Sequence, residues 1–96
     1  MKRIVLCMAA VLWMHGLYGQ RQSLNVATYN LRMDTPHDGP NAWPNRKEMV
    51  KGLIRFYDFD IFGTQEGFIH QINEILEVSA YDYAGAGRDD GKEAGE

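Results

Sequence analysis

The clearest indication of the fold comes from residues 60–66, Asp60-Ile61-Phe62-Gly63-Thr64-Gln65-Glu66. It is a short apolar run that ends in an amide and a carboxylate, and such runs are typical of a buried β-strand. Open α/β sheets bind their ligands beyond the carboxyl ends of their strands. Glu66 is therefore the first candidate for a functional residue.

The segment before this run predicts a strand, a loop and a helix. Residues 23–30 alternate as a first strand, and because neither of its faces is cleanly polar we expect it to be buried on both sides. Residues 32–45 are rich in Pro, Gly, Asp and Asn, which is typical of a loop. A helix is predicted from Pro44, a residue suited to the first helical position, to about Tyr57. Its apolar stripe consists of Met49, Val50, Leu53, Ile54 and Tyr57.

A strand, a helix and a second strand in this order form a βαβ unit, whose two strands are parallel. The carboxyl ends of parallel strands lie at the same edge of the sheet, so we expect Asn30 and Glu66 to lie close together. The alternation of side chains further predicts that Thr28 and Asn30 point to the same face as Thr64 and Glu66. Two polar side chains would then converge at one rim of the sheet.

The segment after Glu66 predicts a second helix, with an apolar stripe of Ile69, Ile72, Ile75 and Leu76, that ends within residues 77–80. Residues 81–86 alternate aromatic and small side chains, which indicates a third strand. Residues 87–91, Gly-Arg-Asp-Asp-Gly, predict a turn. The chain reaches Glu96 with the apolar faces of these elements still in need of partners.

The loop contains two features that invite a functional interpretation. Asp34, Asp38 and Gly39 suggest a calcium loop, but Pro and Asn stand at its third and twelfth positions, where an oxygen-bearing side chain and a bidentate Glu belong, so we reject it. Arg46 lies at the start of the predicted helix, where a cation is electrostatically unfavourable. We expect it to pair with an acidic neighbour rather than to line a cleft, and Trp43 to pack within the loop.

The first 19 residues have the pattern of a signal peptide. Lys2 and Arg3 precede an apolar stretch at residues 4–14, and Gly19 provides a small residue before a cleavage site. The stretch is too short to span a bilayer, so we expect an exported protein, periplasmic or extracellular, with no transmembrane segment after cleavage. Cys7, the only cysteine, would leave with the signal peptide, and the lipoprotein alternative is disfavoured because Ile4-Val5-Leu6 lacks the small residues expected before a lipidated cysteine.

The charge balance argues against a general nucleic-acid binder. Lys2 and Arg3 account for two of the 10 basic residues, whereas all 13 acidic residues lie in segment 20–96. Non-specific binding to nucleic acids depends on the neutralisation of phosphates by Lys and Arg, which an acidic segment supplies poorly. The sequence indicates no stable protein partner.

Three motifs in this order resemble the endonuclease/exonuclease/phosphatase superfamily: Thr28-Tyr29-Asn30-Leu31-Arg32, Asp60 to Glu66, and Gly87-Arg88-Asp89-Asp90-Gly91. The resemblance, which extends over residues 23–96, is strongest to exported bacterial members. It implies a deoxyribonuclease I-like fold, a four-layer α/β/β/α sandwich. Residues 20–96 would form the N-terminal third of that domain, so the fold class is α/β and incomplete.

The resemblance also implies roles for individual residues. Glu66 matches the metal-binding glutamate of the family, and Asn30 matches the asparagine that organises the metal and the phosphate. The cofactor would be Mg²⁺ or Mn²⁺, and a single carboxylate beside an amide suits Mg²⁺ because this ion retains several waters. Apart from the resemblance, Arg88 is a candidate for phosphate binding because a guanidinium matches a phosphate bidentately; its setting among Asp and Gly equally fits a solvated turn. The family's later Tyr, its Asp-x-Asn pair and its terminal Asp-His would all lie beyond Glu96.

The resemblance therefore implies a divalent-metal-dependent phosphoester hydrolase, of the phosphatase, phosphodiesterase or nuclease class. Its substrate would be a phosphoester in a small molecule, a lipid head group or a nucleic acid, and the acidic balance favours the first two. As a separate molecule, the segment ending at Glu96 is expected to be inactive. The alternative is a non-catalytic binding module or a degenerate relative with the same fold.

Overall fold

The computed structural model describes residues 22–78 and 80–96, so the predicted signal peptide at residues 1–19 lies outside the described part. Two strands, two α-helices and a 3₁₀-helix follow one another within it. In chain order they are β1 (Val26–Asn30), the 3₁₀-helix (Pro36–Asn41), α1 (Trp43–Tyr57), β2 (Ile61–Gln65) and α2 (Ile69–Leu76). The predicted mixed α/β architecture is confirmed, although the 3₁₀-helix occupies part of the segment predicted as a loop.

The two strands are parallel neighbours, as the βαβ prediction requires. The register pairs Val26 with Ile61 at one end of the ladder and Asn30 with Gln65 at the other. Leu31 extends the pairing, because its backbone N–H donates to the carbonyl oxygen of Gln65 at 2.9 Å. The carboxyl ends of both strands therefore lie at the same edge.

Helix α1 begins one residue before the predicted start. Pro44 lies in its first turn, where a backbone N–H would have no partner within the helix, so the missing N–H of proline costs no hydrogen bond. It ends at Asp58, whose left-handed conformation (φ 49°) breaks the helix. The amide of Asn25 donates to the carbonyl oxygens of Tyr57 and Asp58, at 2.6 and 3.3 Å. Asn25 thereby ties the start of β1 to the turn that leads into β2.

The core lies between the sheet and the two helices. Its buried apolar side chains are Leu31, Trp43, Val50, Ile54 and Ile75. The prediction that Trp43 packs within the loop was wrong, because it is the first residue of α1 and is 1% exposed. The predicted stripe on α1 was too wide, since Met49, Leu53 and Tyr57 are 60, 39 and 54% exposed and only Val50 and Ile54 face the core.

The face of the sheet opposite the helices is open, so the prediction of a strand buried on both sides was wrong for the described residues. Val26 and Ile61, which pair in the register, are 62 and 60% exposed. Both helices pack on the other face, where Tyr29 and Phe62 contact the core. Burial of the open face would require chain beyond the described elements.

The predicted third strand is absent, because residues 81–86 adopt no regular structure and the described sheet has two strands. A strand needs the backbone of a neighbour along its length, whereas Tyr81 is tied through its hydroxyl to the carbonyl oxygen of Phe59. The turn predicted at residues 87–91 is confirmed by a hydrogen bond from the N–H of Gly91 to the carbonyl oxygen of Gly87.

Charged side chains join the two helices beside the core. Lys47 contacts Glu74 at 2.9 Å, and the indole N–H of Trp43 donates to the same carboxylate. Lys51, which is 8% exposed, contacts Glu77 at 2.9 Å. These contacts fix how α2 lies against α1.

Neither helix of the described part is long and apolar enough to span a bilayer.

Candidate functional site at the carboxyl edge of the sheet

Asn30 and Glu66, the two residues predicted to form the site, meet at the carboxyl edge of the sheet. The side-chain amide nitrogen of Asn30 lies 3.3 Å from Oε1 of Glu66. The Glu66 side chain is 37% exposed, so its carboxylate can reach solvent and a ligand. The expected proximity of these two residues is confirmed.

The way in which they meet differs from the prediction. The register pairs Asn30 with Gln65 and Tyr29 with Thr64, so Thr64 lies on the helix-facing side of the sheet and not beside Asn30. Glu66 instead leaves the strand in a left-handed conformation with a φ of 56°. Such a conformation is uncommon for a residue with a side chain, and it turns the carboxylate back toward Asn30.

Gly67 lies in close packing behind Glu66. A β-carbon placed there would lie 3.0 Å from Cδ1 of Leu31 and 3.1 Å from Cδ1 of Ile72. Both contacts are tighter than ordinary van der Waals distances and involve buried or half-buried side chains. A larger residue at this step would therefore require Leu31 and Ile72 to shift by a few tenths of an ångström.

The orientation of the Asn30 amide is determined by its neighbours. Its Oδ1 accepts a hydrogen bond from the backbone N–H of Arg32 at 2.9 Å, which leaves the amide nitrogen directed at Glu66. With the amide flipped, its oxygen would face the carboxylate of Glu66, an acceptor, and its nitrogen would face the N–H of Arg32, a donor. Asn30 therefore holds the Glu66 carboxylate in place while it also supports the left-handed backbone of Arg32 (φ 58°).

Arg32 and Asp38 form a bidentate ion pair beside Glu66 that sequence reasoning missed. Nε and Nη2 of Arg32 donate to the two carboxylate oxygens of Asp38 at 2.9 and 3.0 Å. This pair raises the pKa of Arg32 and lowers the pKa of Asp38, in both cases chiefly through the side-chain hydrogen bond. Nη1 of Arg32 lies 3.9 Å from Oε2 of Glu66. No periodicity marks such a pair, because Asp38 lies in the short 3₁₀-helix within the segment that the sequence predicts as a loop.

Gln71 joins the two loops that carry the site, and it too was missed. It is fully buried, and its Nε2 donates to the carbonyl oxygen of Arg32 at 3.0 Å. Its Oε1 accepts from the backbone N–H groups of Asp34 and Phe68, both at 3.1 Å. A glutamine at the third position of a helix, bonded back to the residue that precedes the helix, is a known capping pattern, and this was the signal available in the sequence.

Arg46 supports the same loop, although not in the predicted way. Its guanidinium donates to the carbonyl oxygens of Leu31 and Arg32, at 3.1 and 3.3 Å, and to that of Asn41. It also lies 5.6 Å from the ring centre of Trp43. The prediction of an acidic partner was wrong: three backbone carbonyl oxygens, rather than a carboxylate, fix its position at the helix start.

Arg88, the predicted phosphate-binding residue, lies in the C-terminal turn. Its Nη1 contacts Oε1 of Glu96 at 2.7 Å, and its side chain is 69% exposed. Arg88 and Glu96 line the same open cleft as Glu66, together with residues of β2 and α2. The structure thus brings Arg88 to the cleft with its guanidinium already paired to a carboxylate.

The chemistry of the donors fits a hard divalent cation. Glu66 offers a carboxylate with one oxygen held by an amide and the other only 3.9 Å from a guanidinium. Within residues 22–78 and 80–96, no group of three or more His, Cys, Asp or Glu side chains surrounds a common point. One carboxylate with an amide beside it is a donor set that Mg²⁺ accepts, because it completes its shell with waters and phosphate oxygens.

Three solved structures from Bacteroides match this chain over most of its described length. An endonuclease/exonuclease/phosphatase from Bacteroides vulgatus is 39% identical, with a TM-score of 0.74, over 78% of this chain and 29% of that chain. An endonuclease/exonuclease/phosphatase family protein from Bacteroides thetaiotaomicron is 44% identical, with a TM-score of 0.74, over 80% and 30%. This chain belongs to the endonuclease/exonuclease/phosphatase superfamily.

A mannosyl-6-phosphatase from Bacteroides thetaiotaomicron VPI-5482 matches as well, at 45% identity and a TM-score of 0.70, over 76% of this chain and 28% of that one. This superfamily chain therefore spans less than a third of the length of the structures it matches. Neither a protein-family model nor a curated protein sequence matches it. These matches confirm the resemblance to the superfamily and the α/β fold class that it implied.

Proposed function

We propose that this chain is the N-terminal part of an exported, divalent-metal-dependent phosphoester hydrolase that acts on small phosphate esters. The observation that carries the proposal is the 3.3 Å contact between Asn30 and Glu66 at the carboxyl edge of two parallel strands. The similarity to a mannosyl-6-phosphatase supports a small-molecule phosphate ester over a nucleic acid.

Glu66 would hold Mg²⁺ or Mn²⁺, and Asn30 would orient the carboxylate and stand beside the bound phosphate. The metal ion supplies Lewis-acid polarisation of a phosphoryl oxygen when it is bound. The chain contributes a carboxylate in a fixed direction, because Asn30 restrains one oxygen and the left-handed backbone at residue 66 sets the angle of approach. Preorganisation of this kind lowers the cost of assembling the reactive complex.

Arg88 remains a proposed phosphate contact at the far side of the cleft, although it would first have to exchange Glu96 for the substrate. Export rests on the leader pattern of residues 1–19. The remaining groups of the site, including the general base, would come from the part of the protein that the matched structures have and this chain does not span.

The test uses the full-length gene product that contains this chain, assayed with 4-nitrophenyl phosphate and bis(4-nitrophenyl) phosphate. We expect turnover with Mg²⁺ or Mn²⁺ that is abolished by EDTA and restored by added metal. Glu66→Ala should lower kcat/KM toward the uncatalysed background. Glu48→Ala, at a carboxylate on α1 that is 71% exposed and pairs with Lys51 rather than with a residue of the site, is the matched control. Unchanged turnover in Glu66→Ala would refute the metal assignment, and a complete lack of hydrolysis would favour a non-catalytic relative.

A further inference from the structure

Among the described residues, the guanidinium of Arg32 has one edge hydrogen-bonded to Asp38 and one edge free of hydrogen bonds, with Nη1 in a long ion pair with Glu66. Its Nε and Nη2 are bonded to Asp38, which occupies the lateral edge of the planar group. The other edge, the terminal one formed by Nη1 and the second N–H of Nη2, makes no hydrogen bond within the described residues. Nη1 lies 3.9 Å from Oε2 of Glu66, and the side chain is 52% exposed. These N–H donors, which we call the fork, therefore lie beside the carboxylate proposed to bind the metal.

The backbone of Arg32 is held in a costly conformation by groups from three different elements. Its φ is 58°, which is uncommon for a residue with a side chain. Its N–H is bonded to Asn30 on β1, and its carbonyl oxygen accepts from Gln71 on α2 and Arg46 on α1. Strain that several neighbours over-determine is concentrated at functional sites. The fork is thus fixed relative to Glu66.

Asp38 directs the fork without removing its charge. The hydrogen bond from Arg32 lowers the pKa of Asp38, so the carboxylate is ionised at neutral pH and the lateral edge stays engaged. Arg88 offers a contrast, because its Nη1 is already bonded to Glu96 at 2.7 Å. Of these two arginines, Arg32 is the one whose terminal edge is available to a ligand.

We propose that the free edge of Arg32 binds two non-bridging oxygens of the substrate phosphate and thereby makes the site selective for phosphomonoesters. This inference rests on the proposed function, in which a cation on Glu66 engages one phosphate oxygen. A monoester has three non-bridging oxygens, so two remain for a bidentate contact with the guanidinium. A diester has two, so only one remains. Arg32 therefore distinguishes the two substrate classes by the number of oxygens left over.

The experiment compares Arg32→Lys with wild type in the full-length gene product. Lysine keeps the charge but is a point donor that cannot form the fork. We expect kcat/KM for 4-nitrophenyl phosphate to fall about 10- to 100-fold, the cost of a lost hydrogen bond to a charged group. The value for bis(4-nitrophenyl) phosphate should change far less. Arg55→Lys, at an exposed position of α1 with no polar contact among the described residues, is the matched control.

A binding titration tests the same inference without turnover. Calorimetry in the presence of Mg²⁺ should show that wild type prefers inorganic phosphate to dimethyl phosphate, and that Arg32→Lys reduces this preference about tenfold or more. Circular dichroism and the thermal midpoint establish that the variant is folded, and Arg32→Gln replaces it if it is not. An unchanged preference, or an equal loss of both ligands, overturns the role of Arg32. Absence of metal-dependent hydrolysis in wild type refutes the proposed function instead, and the titration still decides the inference.

Discussion

Gln71 is the side chain on which the geometry of the candidate site depends most. Replacement by Met preserves its length and removes its amide, so that three hydrogen bonds are lost at once. The carbonyl oxygen of Arg32 retains Arg46 as a donor, but the N–H groups of Asp34 and Phe68 lose the acceptor oxygen they share. Each of the two unpaired N–H groups costs about 1–3 kcal/mol, so we expect Gln71→Met to lower the free energy of unfolding by about 2–6 kcal/mol.

The measurement is chemical denaturation of the full-length protein in urea, analysed for the midpoint and the slope. The midpoint should fall while the slope stays constant, because the area exposed on unfolding is unchanged. Asn73→Met, at an exposed position on the same helix, is the control and should lie within about 0.5 kcal/mol of wild type. A Gln71→Met variant as stable as this control would refute the interpretation that Gln71 connects the loop after β1 to the loop before α2.

Three further predictions concern the core, the helix interface and the leader. Ile54→Ala removes a side chain that is 1% exposed, and should lower the free energy of unfolding by about 2–5 kcal/mol, whereas Leu53→Ala at a 39% exposed position should cost clearly less. The hydrogen bonds from Lys47 and then Trp43 lower the pKa of Glu74 in the folded state, so their stabilisation is complete above the ordinary value of 4.5 and is lost as pH falls through the folded value. A denaturation series down to about pH 3 should therefore show a steeper loss for wild type than for Glu74→Gln, and equal slopes would contradict this. Mass spectrometry of the exported protein should give Gln20 as its first residue, and an intact Met1 in the exported fraction would exclude cleavage of a signal peptide.

The sequence was sufficient to predict the βαβ unit and the meeting of Asn30 with Glu66. Both follow from apolar periodicity and from the rule that parallel strands end at one edge, and neither needs the coordinates of a single side chain. The prediction of which side chains share a face was wrong at Thr64, because a strand pattern says nothing about the register. Glu66 reaches Asn30 through a left-handed residue, a conformation that alternation cannot indicate.

The remaining errors share a physical cause, which is that they depend on partners far along the chain. Residues 81–86 have the composition of a strand but pair with neither edge of the two-stranded sheet in the described structure. Arg46 donates to backbone carbonyls rather than to a carboxylate, because the fold brings the carbonyl oxygens of the loop after β1 to its guanidinium. Gln71 and Asp38 are polar residues whose roles become visible only when the fold brings Arg32 to them.

The most direct test of metal binding at Asn30 and Glu66 is a Mn²⁺ titration of the full-length protein that is monitored by electron paramagnetic resonance. The free-ion signal reports the fraction of Mn²⁺ that is unbound, so the dissociation constant is obtained without substrate or turnover. Glu66→Gln keeps the shape of the side chain and the neighbouring Arg32–Asp38 pair, and we expect it to raise the dissociation constant by at least about tenfold. A variant that binds Mn²⁺ as tightly as wild type would contradict the assignment of Glu66 as the metal ligand.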